Sequence, residues 1–119
     1  MTKEIQIGKR SITFTSNGAT ALFFKQFFRK DLMQLISNTD DENTMELATD
    51  NIPELAFIMA KQADKADMMH LKYENYIEWL ELFDPLDLSV HGEEIFMVYV
   101  ADSIPSAQPK KKVGAKAKE

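Results

Sequence analysis

Residues 3–15, KEIQIGKRSITFT, decide the fold class, because apolar and polar side chains alternate along them around a central glycine. A period of two is the spacing of a strand with one buried face. With Gly8-Lys9 as a two-residue turn, Ile5 falls opposite Ile12 and Ile7 opposite Arg10. Phe14 joins that face, while Glu4, Gln6, Ser11 and Thr13 point away. Glycine as the first central residue supplies the positive φ that a type II′ turn needs. Two strands alone are marginal in water, so the isoleucine face is expected to lie on a helix.

The chain beyond the hairpin reads as helices. Asn17-Gly18 is a turn or cap, and ATALFFKQFFRKDLMQLIS (19–37) is expected to form one long helix. Phe24, Phe28, Leu32 and Leu35 recur on one stripe of it, with Phe23 and Phe27 on the flank. NTDDEN (38–43) has the composition of a loop, and TMELA (44–48) of a short helical piece. Asp50-Asn51-Ile52-Pro53-Glu54 is a helix start, with a cap, a first-turn proline and an acid at the positive end of the dipole. The helix that follows, ELAFIMAKQAD (54–64), turns Leu55, Ile58 and Met59 inward. After a polar connection, YENYIEWLELF (73–83) forms another helix. Tyr73, Tyr76, Ile77, Leu80 and Phe83 share one side of it, and Glu74, Glu78 and Glu81 the other. Asp84-Pro85 interrupts it, since the residue before proline avoids helical angles.

PLDLSVHGEEIFMVYVAD (85–102) is the last ordered segment. Its IFMVYV run suits a buried strand, but the segment's length and the Glu93-Glu94 pair favour a helix. The expected architecture is α+β and mostly α: an N-terminal β-hairpin packed on a small bundle of about four helices. One domain over residues 1–102 is followed by a lysine-rich tail, 103–119, of disordered composition.

Charge separates the same two parts. The net charge of −5 combines +4 from Pro105 to Glu119 with −9 from residues 1–104. An acidic body repels phosphate backbones, so a nucleic-acid or nuclear role through the P-K-K-K-V run would rest on the tail alone. That role is the alternative reading of the chain. A body without a basic recognition helix or aromatic-basic interleaving argues against it. No window is long and apolar enough to span a bilayer, and the start has no secretory h-region, so the cytosol is the expected compartment. With no cysteine there is neither a disulfide framework nor a thiolate metal site.

The chemistry-bearing residues are sparse. His70 and His91 lie outside any H-E-x-x-H frame, and no G-x-S-x-G elbow or glycine-rich phosphate loop is present. Asp40-Asp41-Glu42 lacks the spacing of a calcium loop. Glu74, Glu78 and Glu81 read as a solvated ridge rather than as paired acid/base carboxylates. No catalytic, cofactor or metal site is therefore expected. The aromatics are richer: eight Phe, three Tyr and one Trp in 119 residues. Phe23, Phe27, Trp79 and Phe83 fall at the margins of their stripes, where core and interface are equally good readings. With Tyr76 they form the candidate partner-binding set.

The order of "EIQIGKRSITFTSNGATALFFKQFFRKDL", "LAFIMAKQAD", "YIEWLELFDPLDL" and "GEEIFMVYVAD" resembles tail assembly chaperones of long-tailed bacteriophages and prophages of Gram-positive bacteria. The resemblance spans nearly all of residues 3–102 and contains no catalytic signature. It implies a non-enzymatic protein of the host bacterial cytoplasm that binds the tape-measure protein, keeps it soluble and helps recruit tail-tube subunits. It also implies absence from the finished virion and, in many such phages, a longer form made by ribosomal frameshifting. Codons for Lys110–Lys112 are compatible with a slippery site, which would make the tail a tether to a second domain.

Overall fold

The structure is a computed structural model that describes residues 1–38 and 45–103. Strands β1 (Thr2–Ile7) and β2 (Arg10–Thr15) pair antiparallel in the expected register, Ile5 facing Ile12 and Ile7 facing Arg10. Gly8 has φ 60°, whereas Lys9 is not among the non-glycine residues at positive φ, as a type II′ turn requires. Ile5, Ile7 and Phe14 are buried, and β2 lies on helix α3 (Ile52–Ala63). The hairpin is thus one lid of a helical core.

The long helix expected over 19–37 does not form. Helix α1 (Thr20–Phe28) stops at Arg29, which adopts a left-handed conformation (φ 61°, ψ 34°) and gives its N–H to the Lys25 carbonyl at 2.8 Å. Asp31 then caps a single turn, α2 (Leu32–Leu35), by accepting from the Met33 N–H at 3.1 Å. The F-R-K-D-L run contains the break: a left-handed C-terminal cap followed by an aspartate that serves a new N-terminus. Strand β3 (Ile36–Asn38) follows and pairs with β4 (Met45–Leu47). The expected helical piece TMELA is therefore a strand over Met45–Leu47. Five residues are too few to nucleate a helix without tertiary support, and a strand partner is at hand. Of the expected loop 38–43, Asn38 ends β3 and the remainder lies outside the described residues.

A 3-10 turn, Thr49–Asn51, leads into α3, with Pro53 and Glu54 in its first turn. Glu54 accepts from Asn51 Nδ2 at 2.8 Å and pairs with Lys30 Nζ at 2.9 Å, tying the start of α3 to the end of α1. Sequence spacing turns Leu55, Ile58 and Met59 inward, yet every residue from Leu55 to Ala60 is buried. The reason is enclosure, since α3 touches β2, α1, α4 (Tyr73–Leu80), α5 (Asp87–Val90) and α6 (Gly92–Ser103). A helix apolar on all sides is the hub of the fold.

The segment expected as one helix over 85–102 is two, α5 (Asp87–Val90) and α6 (Gly92–Ser103). The break at His91 lets Gly92 come against Ile52, whose Cγ1 would lie 3.5 Å from a Cβ at that position. The IFMVYV run is helical, and it buries Ile95, Phe96, Val98, Tyr99 and Val100 against α3, α5 and the hairpin. Burial outweighs the strand propensity of its β-branched residues. The expected tail lies, from residue 104 on, outside the described residues. Hairpin and helices together make the α+β, mostly helical architecture that the sequence indicates, with four helices of eight residues or more among the described residues.

Candidate partner-binding surface

Aromatic rings link three helices. From α1, Phe27 meets Phe57 of α3 at 5.4 Å between ring centroids, and Phe28 meets Tyr76 of α4 edge-on at 5.0 Å. Phe57 continues to Tyr76 at 5.1 Å and to Trp79 at 5.7 Å, and Trp79 reaches Phe83 at 4.9 Å. Edge-to-face and tilted pairs of this kind add to simple area burial. The chain of rings is the seam that holds α1 and α4 on α3.

That seam fixes where the expected partner-binding residues lie. Tyr76 and Trp79 are buried, at 6% and 7% exposure, and have little surface to offer. Phe23, Phe27 and Phe83 are half-buried against the core. The structure brings Phe27, Tyr76, Trp79 and Phe83 into one ring network; Phe23 makes none of these ring contacts. Burial, with the Glu54 carboxylate and then Tyr73 adding to it, pushes the Tyr76 phenol well above its ordinary ionisation range.

The outward apolar residues are different ones. Sequence spacing turned Tyr73 and Ile77 inward with Tyr76, but Tyr73 is 61% exposed and Ile77 40%. The inward face of α4 is centred between Tyr76 and Trp79, because the ring of Trp79 seeks Phe57 and rotates the helix about its axis. Tyr73 and Ile77 are thereby left beside the glutamate ridge rather than opposite it. Leu86, just before α5, and Val90, at its end, are four apart and more exposed still, at 70% and 75%. An apolar pair at i, i+4 next to glutamates is legible in sequence, but which side is buried depends on where Phe57 stands.

Two hollows accompany these faces. One of about 660 Å³ lies between the paired strands β3 and β4 and the start of α6, lined by Leu35, Met45, Leu47, Ile52, Glu93 and Phe96 among others. A smaller one, about 230 Å³, lies between Pro53, Leu80, Phe83 and Leu88. His70 pairs with Asp67 at 2.7 Å and His91 with Glu94 at 2.9 Å, both within three residues in sequence. Among the described residues no three His, Cys, Asp or Glu side chains are placed to hold a metal ion, and no helix is long and apolar enough to cross a membrane. No protein-family model, curated protein or solved structure matches this chain.

Proposed function

We propose that this chain is a tail assembly chaperone of a long-tailed bacteriophage or prophage, acting in the host cytoplasm without catalysis. The resemblance in the order of its segments suggests the reading, and one structural observation carries it. Apolar side chains at helical spacing, Tyr73 with Ile77 and Leu86 with Val90, face solvent on an acidic body. Exposed apolar side chains grouped into patches mark sites of interaction. A tape-measure protein, long and helical with apolar stripes, is a partner of matching form. Many copies, each binding with moderate affinity, would coat it, and the negative body would keep the coated complex soluble. Recruitment of tail-tube subunits, through a frameshifted long form tethered by the lysine-rich tail, completes the proposed role.

Co-expression tests this reading. The tape-measure protein encoded beside this chain is expected to be soluble with it and insoluble without it. Equal insolubility in both cases would overturn the proposal. Mass spectrometry of purified virions should find the chain depleted; stoichiometric retention would make it a structural component instead.

A further inference from the structure

The outer face of α4 combines two features that are each unfavourable in isolation. The first is the apolar pair, Tyr73 and Ile77, one turn apart and facing solvent. Phe27 of α1, half-buried, stacks on Tyr73 with centroids 6.4 Å apart and planes 18° from parallel, so the apolar strip continues onto α1. The second is the ridge of Glu74, Glu78 and Glu81, all exposed and running parallel to that strip. None of the three is ion-paired among the described residues. Like charges at i, i+4 repel, and acids near a helix C-terminus oppose the dipole. Glu78 and Glu81 are in that position, and the last turn of α4 carries no basic residue to offset them. Lys72 precedes the helix, and Lys61 of α3 has its Nζ 5.8 Å from the Phe57 ring centroid.

From this pairing we infer that the outer face of α4, extended by Phe27, docks an amphipathic helix whose apolar stripe is bordered by Lys or Arg. The inference rests on the chaperone reading and adds to it the surface used and the charge of the segment recognised. Phosphate-rich partners are excluded by the ridge, since three unneutralised carboxylates repel nucleic acid and anionic lipid alike. A helix fits because strip and ridge both repeat at i, i+4 along one axis, which is the repeat a second helix presents. Cations on that helix would relieve the repulsion along the ridge while its apolar side chains cover Tyr73 and Ile77. Steering by charge would show chiefly in specificity and association rate.

The test uses the full chain and two labelled helical peptides of about 18 residues. Both carry leucines at i, i+4 and i+7; one borders them with lysine, the other with glutamate. Fluorescence anisotropy is expected to show the lysine peptide bound about tenfold or more tightly than the glutamate peptide, with affinity falling as salt rises. The triple variant E74K/E78K/E81K should reverse that preference, and Ile77→Ser should weaken both peptides. Unchanged circular dichroism and Trp79 fluorescence establish that each variant is folded; should the triple variant fail to fold, E78Q/E81Q should reduce the preference in its place. Three outcomes overturn the inference: no preference for the lysine peptide, a triple or glutamine variant that keeps the preference, or binding lost with Leu86→Ser or Val90→Ser and untouched by Ile77→Ser. If the peptide preference fails while the tape-measure protein is still solubilised, this docking face falls and the chaperone reading stands. If the preference holds while that protein stays insoluble, the converse applies.

Discussion

Helices α3 and α4 are similar in apolar content and differ in what surrounds them. α3 has every residue from Leu55 to Ala60 buried, whereas α4 buries Tyr76 and Trp79 and leaves Tyr73 and Ile77 in solvent. The difference comes from neighbours: α3 is enclosed by the hairpin and four helices, while α4 leans on α3 and α1 from one side. An apolar side chain on α3 is therefore committed to stability, and one on the outer face of α4 is available to something else. Substitutions on the two helices should separate these roles.

Phe57→Ala is expected to have the largest effect. Phe57 is fully buried and touches rings from α1 and α4, so its loss opens a cavity where three helices meet. A cost of about 3–5 kcal/mol is expected, read as a lower urea midpoint. A cost below about 1 kcal/mol would mean that α3 is not the hub.

The hairpin provides a milder perturbation of the same enclosure. Gly8 is at φ 60°, and a Cβ there would come within 2.9 Å of Asp87 Oδ2. Asp87 is itself held, accepting from the Asp84 N–H at 3.0 Å, and Arg10 Nε donates to the Leu82 carbonyl at 3.1 Å. Gly8→Ala should therefore cost about 1–2 kcal/mol from the left-handed backbone, plus whatever Asp87 loses by moving. Faster amide exchange in α3 on this variant would show that the hairpin shields it.

Some of this contrast is legible in the sequence. The hairpin register follows from alternation around Gly8-Lys9, since slipping by one residue would expose Ile5, Ile7 and Phe14 together. The hub is visible in LAFIMA, an apolar run without a polar face. Several features escaped the sequence pattern: the strand at Met45–Leu47, the split at His91, the break at Arg29 and the rotation of α4. The break at Arg29 depends on a left-handed backbone that arginine rarely adopts, and spacing alone cannot signal it. The rotation of α4 depends on Trp79 meeting Phe57, a contact between residues 22 apart in sequence. Spacing marks α4 as aromatic on one side and acidic on the other, but not that Tyr76 and Trp79 are covered and Tyr73 and Ile77 open.

Tyr76 marks the covered side in a way that pH can report. Its phenol is held neutral above the ordinary value of 10.0, chiefly by burial and then by Glu54. Above pH 10 the folded state therefore retains a proton that the unfolded chain has released, and stability falls as pH rises. Tyr76→Phe should remove this component, giving a shallower loss of melting temperature between pH 10 and the onset of alkaline unfolding. An identical alkaline slope in the two proteins would show that the ring does not carry a retained proton.

The smallest effect belongs to the open side. Ile77 is 40% exposed, so Ile77→Ser removes a side chain that the fold covers only in part. Its stability should fall by about 1 kcal/mol or less, a small displacement of the urea midpoint. The value of the variant lies in the pairing with Phe57→Ala. If Ile77→Ser lowers the midpoint no further than this and abolishes solubilisation of the partner, the apolar residues of α4 are retained for binding and those of α3 for folding. If instead it destabilises the chain by more than about 1.5 kcal/mol, Ile77 is part of the core and the outer face of α4 is smaller than the structure indicates.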